Sequence, residues 1–210
     1  MSTQVLVICP VRPDEHPFFL DCLDKFQVAF PVHNPGFTFR WATTQSEYRD
    51  GRSRLGAIAA ARNALLDANL REEDDYVLVM DSDIVSVPFN AVTRMAIQNH
   101  DGITAPEVLI EGTESFYDTA GFLEDGRRVM RDRPYFTQEG TLVSLDCVGT
   151  MYLAPAALFQ DGVRYCDEPA GLTDHEEVCA AARDRGMRVA CMTTIQAYHA
   201  DLPLYGIPWR

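Results

Sequence analysis

Two aspartates, Asp81 and Asp83, close the apolar run Val77–Met80 in "YVLVMDSDIVSVPFN", residues 76–90. On a regular strand, positions i and i+2 share a face, so both carboxylates would point the same way. Like charges gathered at the end of a buried strand cost several kcal/mol unless something positive lies between them. A divalent cation held by hard oxygen ligands is one solution. The other is a strand-end turn in which Asp81 and Asp83 cap neighbouring backbone N–H groups, and a D-x-D alone does not separate the two.

Carboxylates gather again in "TDHEEVCAAARDRG", residues 173–186, as Asp174, Glu176 and Glu177. In a first helical turn such groups favourably meet the helix dipole. One of them is also placed to remove a proton from a hydroxyl as a general base. His199, after the last strand signal, is either a ligand for the same cation or a structural histidine. Arg62 lies in an Ala-rich helix, where it serves a ligand or merely extends its stem along the surface.

These side chains need a scaffold, and the chain can build one. At 210 residues it makes one good-sized domain with its own core. With 47% hydrophobic and 23% charged residues it has the composition of a globular protein. Six scattered cysteines form no C-x-x-C pair and no zinc spacing, which fits a reducing compartment. The amino terminus enters a strand without the basic flank of a signal peptide, and no apolar run approaches a membrane span. The expected location is cytoplasmic, away from membranes. A net charge of −13 disfavours broad binding to nucleic acid. "GRRVMRDRPYF", residues 126–136, is a local exception with four arginines, Arg127, Arg128, Arg131 and Arg133, beside Tyr135 and Phe136.

Strand and helix signals alternate through the first half. A strand is expected at 4–9, ending at Pro10. A helix follows at 14–30, with Phe18, Phe19, Cys22, Phe26 and Val28 as its apolar members. Then come a strand at 37–43, a helix at 53–70 and the D-x-D strand at 76–80. A helix at 89–99 and a strand near "GITAPEVLI" come next, then a region (111–141) without apolar periodicity. Residues 142–155 resume strand character, a helix runs from near Asp174 to Gly186, and a strand closes at His199. Such alternation predicts an α/β fold with a mostly parallel sheet flanked by helices. Ligands bind at the carboxyl ends of such strands, where Pro10–Arg12 and Asp81–Asp83 would both lie.

The ordered set of segments resembles a known family. "AARNALLDANLREEDDYVLVMDSDIVSVP" is similar to the A-R-N and D-x-D segment of the fungal mannan-polymerase-type mannosyltransferases, and akin to the bacterial family-2 glycosyltransferases. "CVGTMYLAPAALFQDGVRY", "DHEEVCAAARDRGMRV" and "AYH" continue the likeness. The resemblance implies a single GT-A (Rossmann-like) domain, with a nucleotide-sugar half at about 1–105 and an acceptor half at about 106–210. It implies transfer of a sugar from a nucleotide-diphosphate sugar to an acceptor hydroxyl, with Mn2+ or Mg2+. Asp83 becomes the direct metal ligand, Asp81 a ligand of metal or ribose, and His199 a third metal ligand. Arg62, Asn63 and Ser82 would face the nucleotide, and Pro10 and Arg12 would flank its base. Asp146, Gly149 and Thr150 would form a turn beside the donor sugar. Glu176 is the first choice as catalytic base and Asp174 the second.

The arginine stretch suits phosphate contact plus stacking, so an anionic acceptor is expected there, a hydroxymethylated DNA base included; a solvated hairpin is the alternative. Two rival readings remain at this level. The D-x-D also fits the nucleophile motif of haloacid-dehalogenase-like phosphatases, although it comes late in the chain for that family. A non-catalytic nucleotide-sugar binding module would keep the ligands and lose turnover.

Overall fold

A computed structural model describes residues 2–12, 14–45, 53–118, 121–129, 142–166 and 173–206. Its strands are β1 (Thr3–Val11), β2 (Phe37–Gln45), β3 (Tyr76–Met80), β4 (Ile84–Ser86), β5 (Ile103–Ile110), β6 (Leu123–Glu124), β7 (Arg127–Arg128), β8 (Leu142–Ser144), β9 (Met151–Pro155) and β10 (Val189–His199). Its helices are α1 (Pro17–His33), α2 (Arg54–Asn69), α3 (Ala91–Gln98), α4 (Ala156–Gln160) and α5 (Glu176–Asp184), with a final 3-10 turn at Leu202–Tyr205.

Among the described residues, eight strands make one mixed sheet in the order β2-β1-β3-β9-β5-β10-β4, with β8 on β10. β2, β1 and β3 pair in parallel, as do β5 and β10. β9 runs antiparallel between β3 and β5, so all five of those strands point the same way. Both halves of the chain therefore share one sheet. The carboxyl ends of β1, β3 and β10 lie on the same edge, and that edge carries the chemistry. The core strands read as unbroken apolar runs because both faces are covered: Val5 to Ile8 and Val77 to Met80 are fully buried.

Most expected elements are present, and the differences have physical reasons. β1 continues through Pro10 to Val11 rather than ending at Pro10. Past Ile8 it pairs with β2 alone, so a residue without an N–H is tolerated there. α1 starts at Pro17, with the His16 side chain accepting from Phe18 N–H, and runs on to His33. Its buried face is Phe19, Cys22, Leu23, Phe26 and Phe30, whereas Val28 is 73% exposed and Phe18 only partly covered. The core stripe follows i, i+3, i+4, i+7, which Val28 does not join. Residues 142–155 form two strands broken by a turn, and 121–128 hold a small hairpin whose Asp125-Gly126 turn has positive φ at both positions.

Candidate active site

The charge problem at the end of β3 is solved by two different cations. α2 is capped by the Ser53 side chain and lies against β1 and β2, which carries Arg62 inward to 1% exposure. One Arg62 nitrogen (Nη2) donates to Asp81 Oδ1 at 2.6 Å, and the other (Nη1) donates to Asp174. Burial alone would lower the guanidinium pKa, but Asp174 and then Asp81 more than offset it, so Arg62 stays charged. Its plane also approaches the Tyr165 ring, 5.3 Å from the centroid.

Asp83 has a separate partner. His199 Nε2 lies 3.0 Å from Asp83 Oδ2, and His199 Nδ1 lies 2.8 Å from the Ala200 carbonyl. The backbone repeats the link, since Ala200 N–H donates to the Asp83 carbonyl. Burial pushes the Asp83 carboxyl up, but His199 outweighs that and holds it below the usual range. Burial likewise lowers His199, and Asp83 reverses the balance so that the imidazole pKa rises. Asp81 keeps a raised pKa because burial outweighs Arg62, with Asp83 adding repulsion. Tyr117 stacks flat on the His199 ring at 3.5 Å, fixing its plane.

The Asp83–His199 pair fits a divalent cation. An Nδ1–H donated to a carbonyl leaves Nε2 as the metal-facing atom, with a carboxylate oxygen beside it. A proton joins the two groups, and a divalent cation held by them would take its place. Asp81 is committed through Oδ1 to Arg62. Among the described residues no group of three or more His, Cys, Asp or Glu side chains meets as a metal cage. Asp81, Asp83 and His199 therefore do not converge as a three-ligand set in this arrangement.

The helix-start acids divide their work. Thr173 N–H donates to Glu176 Oε1 at 3.1 Å and His175 N–H to Thr173 Oγ1 at 3.4 Å, two links that hold the turn leading into α5. Glu176 thus supports the start of α5, whereas Asp174, 3% exposed, turns toward Arg62. Burial would raise the Asp174 pKa, but Arg62 holds it below the usual carboxylate range. His175 is buried between Tyr152 and Tyr165, with ring centroids at 5.5 and 5.9 Å, and its Nδ1 finds no hydrogen-bond partner among the described residues. Burial drives its pKa down to about 4.

Other expected site residues are placed as follows. Asn63 forms a two-point clasp with the Tyr165 backbone, giving 2.8 Å and accepting 2.9 Å, so its amide holds the chain rather than standing open. Arg12 pairs with Glu15 at 2.9 Å, and Ser82 Oγ donates to the other Glu15 oxygen at 2.5 Å, which ties the end of β1 to the D-x-D. Pro10 lies on β1 just before this link. Gly149 has no room for a side chain: an added Cβ would lie 2.6 Å from Asp118 Oδ2 and 2.9 Å from His175 Cδ2. Asp146 accepts from Gly126 N–H and so serves the hairpin. Arg127 and Arg128 are exposed on β7, while Arg131, Arg133, Tyr135 and Phe136 lie outside the described residues. Glu15, Tyr117 and Asp118 come from loop positions with no periodicity or motif to flag them. Only the T-x-x-E spacing at Thr173–Glu176 had a readable signal.

A family model named Anp1 matches residues 42–125, well under half of the chain. No match is found among curated proteins. Solved structures share the fold at low identity. Residues 1–349 of TarS from S. aureus are 14% identical with a TM-score of 0.51, covering 96% of this chain and 61% of that one. A longer TarS structure is 12% identical with a TM-score of 0.55, covering 97% of this chain and 37% of that one. Beta-1,4-galactosyltransferase 7 from Drosophila, a mutant form with manganese, UDP-Gal and xylobiose, is 15% identical with a TM-score of 0.52. There the coverage is 90% of this chain and 64% of that one. The chain thus spans less than two thirds of each of these proteins. Among the described residues no helix is long and apolar enough to cross a membrane. A D-x-D at the carboxyl edge of a mixed sheet and an Anp1-like segment around it lead to one conclusion: the chain has the GT-A fold of the glycosyltransferases and resembles the Anp1 family.

Proposed function

We propose that this protein is a metal-dependent glycosyltransferase, moving a sugar from a nucleotide-diphosphate sugar to an acceptor hydroxyl. The observation that supports this most is the pairing of Asp83 with His199 beside an Asp81–Arg62–Asp174 bridge on one sheet edge. In this reading Asp83 and His199 hold Mn2+ or Mg2+, with Asp81 turned to the metal or the ribose. When bound, the cation stabilises charge on the departing diphosphate as a Lewis acid. Arg12 and Ser82, joined through Glu15, border the base and ribose, and Pro10 sets the floor of that pocket. Arg62 orients Asp81 and Asp174 together, so its role toward the nucleotide is indirect, and Asn63 steadies the chain at Tyr165. Gly149 and Thr150 form the turn beside the donor sugar.

Glu176 stays the first choice as general base. Arg62 holds the buried Asp174 carboxylate and lowers its pKa, which weakens it as a base. Asp174 stays the second choice. The exposed Arg127 and Arg128, with the arginines that follow them, favour an anionic acceptor such as a hydroxymethylated DNA base. The net charge of −13 favours a short contact over a long polyanion. The phosphatase alternative would need Asp81 free to attack phosphorus, and its Oδ1 is held by Arg62. Nothing in the geometry favours a binding module over an enzyme.

The test is release of nucleoside diphosphate from a panel of UDP-, GDP-, CDP- and dTDP-sugars with Mn2+, with Mg2+ and with EDTA. Turnover of at least one donor that stops with EDTA supports the reading. Absence of turnover with any donor, or turnover indifferent to EDTA, contradicts it.

A further inference from the structure

Asp118 follows β5 in a loop, yet its carboxylate is held at two points in the middle of the site. Gly121 N–H donates to Oδ1 at 2.7 Å, and the Thr150 hydroxyl donates to Oδ2. Two glycines make the approach possible, because an added Cβ at Gly121 or Gly149 would collide with this carboxylate. Thr150 itself has φ of +57°, a left-handed conformation that a β-branched residue rarely adopts. Among the described residues only Asp125 shares this property without being glycine, and it sits in a hairpin turn. A strained residue persists when its surroundings over-determine it. Asp118 supplies that constraint from the side-chain end. From the main-chain end, the Thr150 carbonyl accepts the Asp81 N–H at 2.9 Å.

We infer that Asp118 is a positioning residue for sugar transfer, acting through Thr150 on the backbone of Asp81. The chain of contacts runs Asp118 carboxylate, Thr150 hydroxyl, Thr150 carbonyl, Asp81 N–H. It locks the turn after Cys147 to the first residue of the D-x-D, so the donor-sugar side and the diphosphate side of the site keep one register. The carboxylate is placed to accept two hydrogen bonds, and its negative charge is not required for that. An asparagine at 118 can accept from Gly121 N–H through its oxygen and donate to the Thr150 oxygen through its nitrogen. Glycine at 150 can adopt the left-handed conformation without any side-chain restraint. The inference rests on the proposed transferase reading, and the two are separable by experiment.

Two readouts are used: amide exchange at Asp81, and affinity for UDP and GDP in the presence of Mn2+. Asp118→Ala should speed exchange of the Asp81 amide about tenfold or more while Val79 is unchanged. It should also weaken the Mn2+-dependent nucleotide affinity about tenfold. Asp118→Asn should keep both near wild type. Asp118→Ala/Thr150→Gly should recover much of what Asp118→Ala loses. An Asp81 amide indifferent to Asp118→Ala overturns the inference. So does Asp118→Asn behaving as badly as Asp118→Ala, which would mean that the charge itself is used. Loss of affinity in Asp118→Ala that Thr150→Gly does not relieve overturns it as well. If wild type binds neither nucleotide, the transferase reading fails, and the Asp81 exchange pattern still decides the positioning role.

Discussion

Replacing His175 with phenylalanine should remove a pH dependence from the stability of this fold. The ring is 4% exposed, wedged between Tyr152 and Tyr165, with no hydrogen-bond partner for Nδ1 among the described residues. Burial keeps it neutral, with a pKa lowered from 6.5 to about 4. Below its ordinary pKa the unfolded chain binds a proton that the folded chain refuses, so stability is intact above pH 6.5 and falls as the pH drops. A site moved that far costs about 2 kcal/mol at pH 5 and about 3 kcal/mol at pH 4. His199 works in the opposite sense, because its raised pKa adds stability that is fully present below 6.5 and lost as pH rises through its folded value. The profile of the wild type alone therefore does not isolate His175, and the comparison with His175→Phe does. Phenylalanine keeps the ring packing and deletes an unsatisfied nitrogen, so at pH 7 the variant should be as stable as wild type or slightly more stable. The assay is urea unfolding of both proteins at pH 7, 6, 5 and 4.5 without metal. The gap between them should open in favour of the variant by about 2 kcal/mol from pH 7 to pH 5. A gap that stays constant across that range refutes the reasoning.

The remaining predictions concern the charged bridge and the helix-start acids. Arg62→Met should destabilise by about 3 kcal/mol in urea unfolding, since it strands the buried Asp174 carboxylate and leaves the part-exposed Asp81 without its partner, and adding Asp174→Asn should recover part of that loss. Glu176→Gln, which can still accept from Thr173 N–H, should reduce transfer on the order of a hundredfold with donor affinity preserved, while Asp174→Asn, which loosens the Arg62 bridge, should cost stability first. Loss of donor affinity in both would instead assign these acids to holding the donor sugar. Neutralising Arg127 and Arg128 should raise acceptor KM and flatten its salt dependence without changing donor KM.

Much of the fold was legible because its signals are local. The apolar run 76–80, the Ala/Leu helix capped at Ser53 and the alternation at 37–43 each fall where periodicity puts them. The antiparallel insertion of β9 between β3 and β5 was not legible, since a short buried strand reads the same in either direction. At the site, residue identity was easier to read than residue role. Asp81, Asp83, Asp174 and His199 stood out by type and spacing, but their partners lie far away in sequence. Arg62 and Asp174 are separated by 112 positions, and nothing in the helix 53–70 says that its arginine points inward to bridge two acids. The expectation of a cation between Asp81 and Asp83 came from the charge problem at the end of the strand. The chain meets that problem with its own Arg62 and His199, which spacing alone does not reveal. Asp118 and Glu15 sit in irregular segments, where only tertiary structure gives a carboxylate its neighbours.

Calorimetric titration of UDP and GDP into the wild type and into Asp83→Ala, each with Mn2+ and with EDTA, tests the central claim most directly. The wild type should bind at least one nucleotide with an affinity that falls at least tenfold in EDTA. Asp83→Ala should stay folded and show the weak, EDTA-like affinity under both conditions. Equal binding by the two proteins in Mn2+, or wild-type binding unaffected by EDTA, would contradict a nucleotide site built on Asp83 and His199.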